Sequence, residues 1–262
     1  MKKENIKAAF FDVDNTLYDH KHNCVPNLHI KALKELQKND IKVCLCTGRS
    51  LPLIKELHLL DLLQWDGIVS GNGSFVYDKN LNPIYENCIS ETSTKKIFSL
   101  AEQYDIPLFC SGNTIVLTKQ TKDSQALLEN FDIRIFDRRS YSNTDRFSLI
   151  TLCTQRNNPH LAEFEAIDEI KIIPNRSSID IMKKSLSKYH GIEVLMQHFQ
   201  YNPHDYIAFG DGLNDIEMLT STKYGIRMED GDPALQEKVS MHCPSCQEAG
   251  IYYFLKKEGL IK

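Results

Sequence analysis

The sequence predicts an α/β protein with a doubly wound, Rossmann-like parallel-sheet core that carries an inserted α+β domain. Short apolar runs alternate with amphipathic helical segments at both ends of the chain, a pattern typical of a parallel sheet covered on both faces. The middle of the chain instead has closely spaced strand candidates interleaved with helices. The length of 262 residues also suits two modest domains.

The core is predicted from two segments, residues 1–81 and 184–262. The first segment reads as strand 6–11, helix 26–38, strand 41–46, helix 51–60 and strand 67–69. The second reads as helix 188–199, strand 206–209, a helix from about Asn214, an apolar piece at 224–228 and a C-terminal helix. Both segments have the rhythm of one doubly wound domain.

The insert is predicted to span residues 82–183. Its strand candidates are 107–110, 114–118, 133–136, 147–153, 170–173 and 178–182. Its helix candidates are 93–104, 122–130 and 159–166. This mixture indicates an α+β domain that interrupts the core.

Composition excludes several classes of function. Hydrophobic residues make up 42% and charged residues 25%, enough for a core and too apolar for disorder. Lysine and arginine total 31 against 35 acidic residues, so a nucleic-acid partner is not expected. The sequence lacks both an apolar run long enough for a membrane span and a secretory signal. Eight cysteines in a chain of this size fit a reduced, cytoplasmic protein.

The first chemical motif is residues 12–16, DVDNT, directly after an apolar strand. Asp12 and Asp14 would place two carboxylates at the carboxyl edge of a parallel sheet, where open α/β folds bind ligands. Close carboxylates repel, and a hard divalent cation such as Mg²⁺ would compensate them. The alternative is a strand end followed by an ordinary acidic turn.

The second motif is residues 47–50, TGRS, between a strand and a helix. The Thr47 hydroxyl and the amides of Gly48 and Arg49 could form an anion pocket, assisted by the helix N-terminus. A phosphate group would fit such a pocket. The alternative is simple helix capping by Ser50.

The third motif is residues 210–215, GDGLND, after another apolar strand. Asp211 can reach a metal at the sheet edge, and Asp215 could ligate it directly or through water. The alternative makes Asn214 and Asp215 ordinary N-caps of the following helix.

Together these motifs resemble the haloacid dehalogenase superfamily of phosphatases, in particular its Cof-type sugar-phosphatase branch with an inserted α/β cap. The remaining family motif is a lysine that precedes the last motif, and Lys188 at the start of a helix supplies it. Lys183 and Lys184, nearer the cap boundary, are weaker candidates. The order and spacing of the motifs match the family over essentially the whole chain.

The resemblance implies a covalent mechanism. Asp12 would be the nucleophile and form an aspartyl-phosphate. Asp14 would protonate the leaving alcohol and then activate the water that hydrolyses the intermediate. Mg²⁺ would be held by the Asp12 carboxylate, the Asp14 backbone carbonyl and Asp211, with Asp215 as a further metal-site residue.

The resemblance also implies how the substrate phosphate is bound. Thr47 and Gly48 would contact phosphate oxygens, Lys188 would balance the transferring group, and Asn214 with Asp215 would orient Lys188 and the metal waters. Thr47 and Lys188 therefore count among the catalytic residues together with the two carboxylates of the first motif.

Two positions depart from the family pattern. Asn15 stands where relatives usually have glycine, and asparagine is a tolerated substitute if the turn needs a positive φ. Residues 228–233, MEDGDP, replace the usual loop near the site and predict an altered substrate fit. His20, His22 and His29 are interpreted as residues of a solvated loop, and Cys243 and Cys246 as structural.

The predicted function is a Mg²⁺-dependent phosphatase of small phosphomonoesters, chiefly sugar phosphates, with the cap closing over the leaving group. The alternatives are a phosphomutase of the phosphomannomutase type and a phosphosugar-binding sensor without turnover. The expected partner is a small phosphorylated metabolite, with no nucleic acid and no membrane. We expect a monomer or a weak homo-oligomer.

Overall fold

The computed structural model describes residues 6–175 and 178–262, and within them the chain forms fourteen strands and eight α-helices. The strands are β1 (Ala8–Phe11), β2 (Lys42–Cys46), β3 (Gly67–Ser70), β4 (Phe75–Asp78), β5 (Pro83–Glu86), β6 (Leu108–Gly112), β7 (Ile115–Leu117), β8 (Asp137–Arg138), β9 (Phe147–Leu152), β10 (Ile170–Pro174), β11 (Ile179–Lys183), β12 (Tyr206–Gly210), β13 (Tyr224–Met228) and β14 (His242–Cys243). The helices are α1 (Asn27–Lys38), α2 (Leu51–Glu56), α3 (Glu91–Gln103), α4 (Lys122–Asn130), α5 (Leu161–Glu165), α6 (Lys188–His198), α7 (Ile216–Thr220) and α8 (Gly250–Lys257). None of the helices in these two ranges is both long enough and apolar enough to cross a membrane.

Eight strands form the first sheet, in the order β14-β13-β12-β1-β2-β3-β4-β5. The strands from β14 to β3 pair in parallel, and β4 turns back antiparallel to β3. The predicted doubly wound core is therefore confirmed. Strand β4 is an addition to the predicted set, because a short 3₁₀ turn at Gly71–Gly73 reverses the chain immediately after β3. Strand β5 is a second addition, and it extends this sheet although residues 83–86 fall within the predicted insert.

The centre of this sheet is buried, since every residue of β1 and β12 is buried. The apolar face of α6 packs onto it and contributes Ile192, Leu195 and Met196 to one continuous cluster. Each large apolar side chain buried in this way stabilises the fold by about 1.5–3 kcal/mol. Strand ends on this rigid platform are well suited to hold polar groups in place.

Six strands form the second sheet, in the order β10-β11-β9-β6-β7-β8. Its pairs are antiparallel except for β7 with β8. Residues from α3 and α5 pack on this sheet around Phe147 and Phe164. The predicted α+β insert is confirmed as a fold class.

The chain divides into two compact units. One contains the chain up to Gly48, Leu60–Tyr85 and Ser187–Lys262, and the other contains Arg49–Leu59 and Glu86–Leu186. The predicted boundaries fall at 82 and 183, and they place 49–59 in the core, whereas this segment clusters with the second unit. Residues 1–5 of the predicted core and 176–177 of the predicted insert lie outside the described residues.

The strand predicted at 133–136 is wrong, because that segment has no regular secondary structure. The amides of Arg134 and Ile135 both donate to Oε1 of Glu56, at 2.7 and 3.0 Å. A side chain thus satisfies backbone groups that a ladder partner would otherwise bond. Ile133 is buried in an apolar cluster with Leu127, so the apolar pattern reflects packing rather than a strand.

His29 does not lie in a solvated loop as predicted, because it is fully buried on the inner face of α1. Its Nδ1 is 3.5 Å from the carbonyl oxygen of Leu17, and Nε2 has no hydrogen-bond partner among the described residues. Burial lowers the pKa of His29 from 6.5 to about 4.

Acid should therefore destabilise the protein through His29. Since the unfolded chain binds the proton more tightly, the free energy of unfolding falls as pH drops from about 6.5 to about 4. This one group removes about 3 kcal/mol across that interval. Urea unfolding at several pH values, with wild type and His29→Leu side by side, measures the difference. An identical pH dependence in the two proteins would contradict the assignment.

Candidate active site

Three neighbouring strands of the first sheet end in polar side chains. Asp12 follows β1, Thr47 follows β2 and Asp211 follows β12. Because these strands are parallel and adjacent, their carboxyl ends meet at one edge of the sheet. The amide of Asp12 donates to the carbonyl oxygen of Phe209 at 3.0 Å, which ties the first of these loops to β12.

Lys188, the first residue of α6, is fully buried at this edge. Its Nζ donates to Oδ1 of Asp12 at 2.5 Å and to Oδ1 of Asp215 at 2.6 Å. Of the two weaker lysine candidates, Lys183 donates to Asn87 in the second unit and Lys184 is exposed. The structure thus brings Lys188 to the predicted carboxylates.

Asp215 is fully buried and uses both carboxylate oxygens. While Oδ1 accepts from Lys188, Oδ2 accepts from the amides of Asp211 and Gly212 at 3.0 and 2.9 Å. A Cβ atom on Gly210 would lie 2.6 Å from the Asp215 carboxyl carbon, so only glycine permits this approach. The Asp215 side chain makes no capping bond to α7, although its bond to the Gly212 amide is part of a capping box at the short 3₁₀ turn Leu213–Asp215. Its second oxygen bonds Lys188, so capping alone does not explain Asp215.

Asp211 is held by Thr16, a residue for which the motifs predict no role. The hydroxyl of Thr16, itself fully buried, donates to Oδ1 of Asp211 at 3.0 Å. The signal for Thr16 is its place at the end of the DVDNT motif. This bond links the loop after β1 to the loop after β12.

Charge in this cluster is unbalanced. Burial raises the pKa of Asp12 well above its ordinary value, and the nearby carboxylates of Asp215, Asp211 and Asp14 add to the rise against the opposing effect of Lys188. Burial and Asp215 likewise raise the pKa of Asp211. Burial opposes the charge on Lys188, yet Asp12 and Asp215 outweigh it and raise its pKa. One ammonium group therefore does not satisfy all of the carboxylates.

The donor set fits a hard divalent cation. Asp12, Asp211 and Asp215 each offer a carboxylate oxygen, and these atoms lie within 4.8 Å of one another. All three donors are oxygens, the ligand type that Mg²⁺ prefers. A cation would also offset the burial and the neighbouring negative charge that together raise the pKa values of Asp12 and Asp211. The cluster is thus able to bind a metal.

Asp14 lies two residues beyond Asp12 and its side chain is partly exposed. Its Oδ1 is 2.6 Å from Nε2 of His20. From the sequence His20 is interpreted as a loop residue, and no spacing rule would have paired it with Asp14. The contact depends on the turn that follows β1.

Thr47, Gly48 and Asn214 share a neighbour that the motifs do not predict, Asn72 in the Gly-Asn-Gly turn after β3. The amide of Asn72 donates to the carbonyl oxygen of Thr47 at 3.0 Å, and Oδ1 of Asn72 accepts from Nδ2 of Asn214 at 3.1 Å. A Cβ on Gly48 would lie 3.2 Å from the Asn72 amide. Thr47 is buried, whereas Asn214 is exposed.

Ser50, which the alternative interpretation made a helix cap, does not cap α2 with its side chain. Its Oγ accepts from Oγ of Ser111 at 2.8 Å within the second unit. The turn after β2 is thus not explained by capping alone.

The two departures from the family pattern have defined structures. Asn15 has φ of 57°, so the turn does need a positive φ and asparagine supplies it. In the loop 228–233, the amide of Asp232 donates to the carbonyl oxygen of Asp211 at 2.7 Å. This loop therefore contacts the candidate site directly.

Cys243 and Cys246 are free thiols and both are buried. Burial raises the pKa of each thiol to about 12. Sγ of Cys243 lies 3.5 Å from Sδ of Met228. Protonated, buried thiols of this kind pack as small apolar side chains, in agreement with the structural interpretation.

Comparison with known proteins gives consistent likenesses. The haloacid dehalogenase-like hydrolase family matches residues 9–255. A Bacillus subtilis protein named "Putative phosphatase YkrA" is 30% identical over 262 residues, which cover 98% of this chain and 99% of that protein. A solved structure of a hypothetical protein from Geobacillus kaustophilus has a TM-score of 0.89 at 23% identity and covers 98% of this chain and 100% of its own. The structure of BT4131, described as a sugar phosphatase of haloacid dehalogenase (HAD) subclass IIB, has a TM-score of 0.80 at 22% identity. The match covers 97% of this chain and 100% of that chain.

Proposed function

The chain belongs to the haloacid dehalogenase-like hydrolases, and from this premise we propose that it is a Mg²⁺-dependent phosphatase of small phosphomonoesters, with sugar phosphates as its substrate class. The observation that carries the proposal is Lys188, buried between Asp12 and Asp215 beside Asp211. A mere binding protein has no use for a nucleophilic carboxylate held against a buried ammonium group.

The proposed reaction proceeds through two displacements at phosphorus. First, a carboxylate oxygen of Asp12 attacks the phosphorus atom, the bond from phosphorus to the substrate oxygen breaks, and Asp14 gives its proton to the departing alkoxide. Next, Asp14 takes a proton from water while the water oxygen attacks phosphorus. The bond from phosphorus to Asp12 breaks, which releases phosphate and restores both carboxyl groups.

The remaining residues position charge around the transferring group. Lys188 would neutralise part of the phosphoryl charge, while Asp215 fixes its ammonium group. Thr47, Gly48 and Asn214 would contact phosphate oxygens. Mg²⁺ bound by Asp12, Asp211, Asp215 and the Asp14 carbonyl would supply positive charge where two anions must approach each other.

The substrate class rests on similarity. The structural neighbour BT4131 is described as a sugar phosphatase, and its likeness extends over 97% of this chain. The net charge of the chain, -4, supports a small metabolite rather than a polyanion as partner.

Phosphate release tests the proposal. Wild-type protein is incubated with hexose phosphates, nucleotides, pyridoxal phosphate and flavin mononucleotide, each with Mg²⁺ and with EDTA. We expect release from one or more sugar phosphates with Mg²⁺ and a loss of that activity with EDTA, because the carboxylate cluster would then repel the substrate. EDTA is expected to remove all of the phosphate release that is measured with Mg²⁺.

Other outcomes would select another function. A phosphosugar that is isomerised without phosphate release would indicate a phosphomutase. A phosphosugar that binds but is not turned over under Mg²⁺ would indicate a sensor. Equal phosphate release with Mg²⁺ and with EDTA would show that the reaction needs no metal.

A further inference from the structure

The loop after β1 holds an imidazole against the proposed acid and base of the reaction. Nε2 of His20 lies 2.6 Å from Oδ1 of Asp14, and the two side chains are 35% and 37% exposed. The pair thus lies at the accessible rim of the site rather than in the core. With Nε2 protonated, the imidazole donates to the carboxylate and restricts its rotation.

The position of His20 is determined by the backbone of its loop. Asp14 and Tyr18 form a bridge, with the amide of Asn15 donating to the carbonyl oxygen of Tyr18 at 3.0 Å. Further along, Asp19 and Cys24 exchange two backbone hydrogen bonds of 2.9 and 3.2 Å. His20 directly follows Asp19, inside the short loop that the bridge between Asp19 and Cys24 closes, so its backbone is fixed within this turn.

Side chains reinforce this turn. The buried carboxylate of Asp19 accepts from the amide of Lys21 at 2.9 Å and from Nδ1 of His22 at 2.5 Å. The ring of Tyr18 meets the ring of His20 edge-on, with centroids 5.1 Å apart. The imidazole is therefore oriented both by its contact with an aromatic ring and by its bond to Asp14.

We propose that His20 is a positioning residue for Asp14, holding its carboxyl group in the orientation that serves both proton transfers. This inference rests on the proposed function. Asp14 must face the leaving oxygen in the first displacement and the attacking water in the second, so one fixed orientation benefits both. A misplacement of about 1 Å in such a group can cost about 10²-fold in rate.

The test separates proton transfer from general damage by changing the leaving group. Rapid-quench measurements follow formation of the phosphoenzyme from a sugar phosphate and from p-nitrophenyl phosphate, under Mg²⁺ at one pH. The alkoxide of a sugar needs a proton to depart, whereas nitrophenolate is stable without one. The variants are His20→Ala, His20→Gln, whose amide N–H can replace that of Nε2, and Lys21→Ala as the control.

We expect His20→Ala to slow phosphoenzyme formation from the sugar phosphate by about 10- to 100-fold and from the aryl phosphate by far less. Hydrolysis of the phosphoenzyme should slow equally for both substrates, because both give the same intermediate. His20→Gln should recover most of the rate. Lys21→Ala, which removes an exposed side chain from the same loop and keeps the amide that donates to Asp19, should retain the wild-type rates.

Equal slowing of phosphoenzyme formation from both substrates, or no slowing, would overturn the role of His20 while the wild-type protein still releases phosphate. A lack of rescue by His20→Gln would do the same. If the wild-type protein forms no phosphoenzyme and releases no phosphate from either compound, the proposed function fails first, and the inference falls with it.

Discussion

Replacing Asp12 by asparagine should abolish phosphate release, lowering kcat by about 10⁴-fold or more, as the loss of a covalent nucleophile does in other enzymes. An amide has no charge to attack phosphorus and is a poor metal ligand. It keeps the shape of the side chain and an oxygen that accepts from Lys188. The measurement is steady-state phosphate release with excess Mg²⁺ on the best substrate of the screen.

The folded state of this variant should survive. Burial and neighbouring carboxylates raise the pKa of Asp12, so the ionised group weakens the metal-free fold increasingly as pH rises above 3.8. The asparagine side chain does not ionise, and we therefore expect Asp12→Asn to unfold at the same or a higher urea concentration than wild type at neutral pH in EDTA. Asp168→Asn, a change of the same charge at an exposed position, is the matched control and should keep full activity. Substantial turnover by Asp12→Asn would rule out the mechanism.

Replacing Lys188 by methionine should have the largest effect on stability. Asp12 and Asp215 would be left as buried carboxylates without their cation, and loss of one partner from a buried ion pair costs about 3–5 kcal/mol. The variant would also lack the positive charge that Lys188 places beside the transferring phosphoryl group, which should lower kcat by about 10²–10³-fold. Urea unfolding in EDTA and phosphate release under Mg²⁺ measure the two effects.

Mg²⁺ distinguishes this effect from a simple packing defect. A cation bound by the carboxylates would replace part of the missing charge, so Mg²⁺ should stabilise Lys188→Met more than it stabilises wild type. Lys184→Met removes an equal charge from an exposed position and should change neither activity nor the unfolding midpoint by much. If Lys188→Met unfolds like wild type in EDTA, the buried ion pair does not stabilise the protein as inferred.

Much of the fold follows from local patterns. Strands β1, β2 and β12 are apolar on both faces, and such runs between amphipathic helices have few arrangements other than a covered parallel sheet. The strand prediction at 133–136 failed because its alternating pattern records packing of Ile133, while Glu56, distant in sequence, satisfies the backbone. Periodicity reports which side chains are buried and does not report what bonds the amides.

The candidate site likewise contains residues that sequence motifs predict and a residue that only the structure shows. The positions of Asp12, Thr47, Asp211 and Lys188 follow from motifs at the ends of strands and the start of a helix, and the tertiary structure brings the three carboxylates of the cluster to within 4.8 Å. Asn72 lacks such a signal, because its contacts with Asn214 and Thr47 arise from a turn after β3 that becomes visible only when the sheet is assembled.

The sequence by itself determined the α/β class, the family resemblance and the residue types available for chemistry, because these depend on hydrophobic period and on short motifs. The tertiary structure alone decided that Lys188 is shared by Asp12 and Asp215, that His29 is buried, and that His20 faces Asp14. The physical reason is that hydrogen bonds and desolvation depend on distances of a few ångströms between groups that can be far apart in the chain. Such distances are set when the strands pair and the loops between them close.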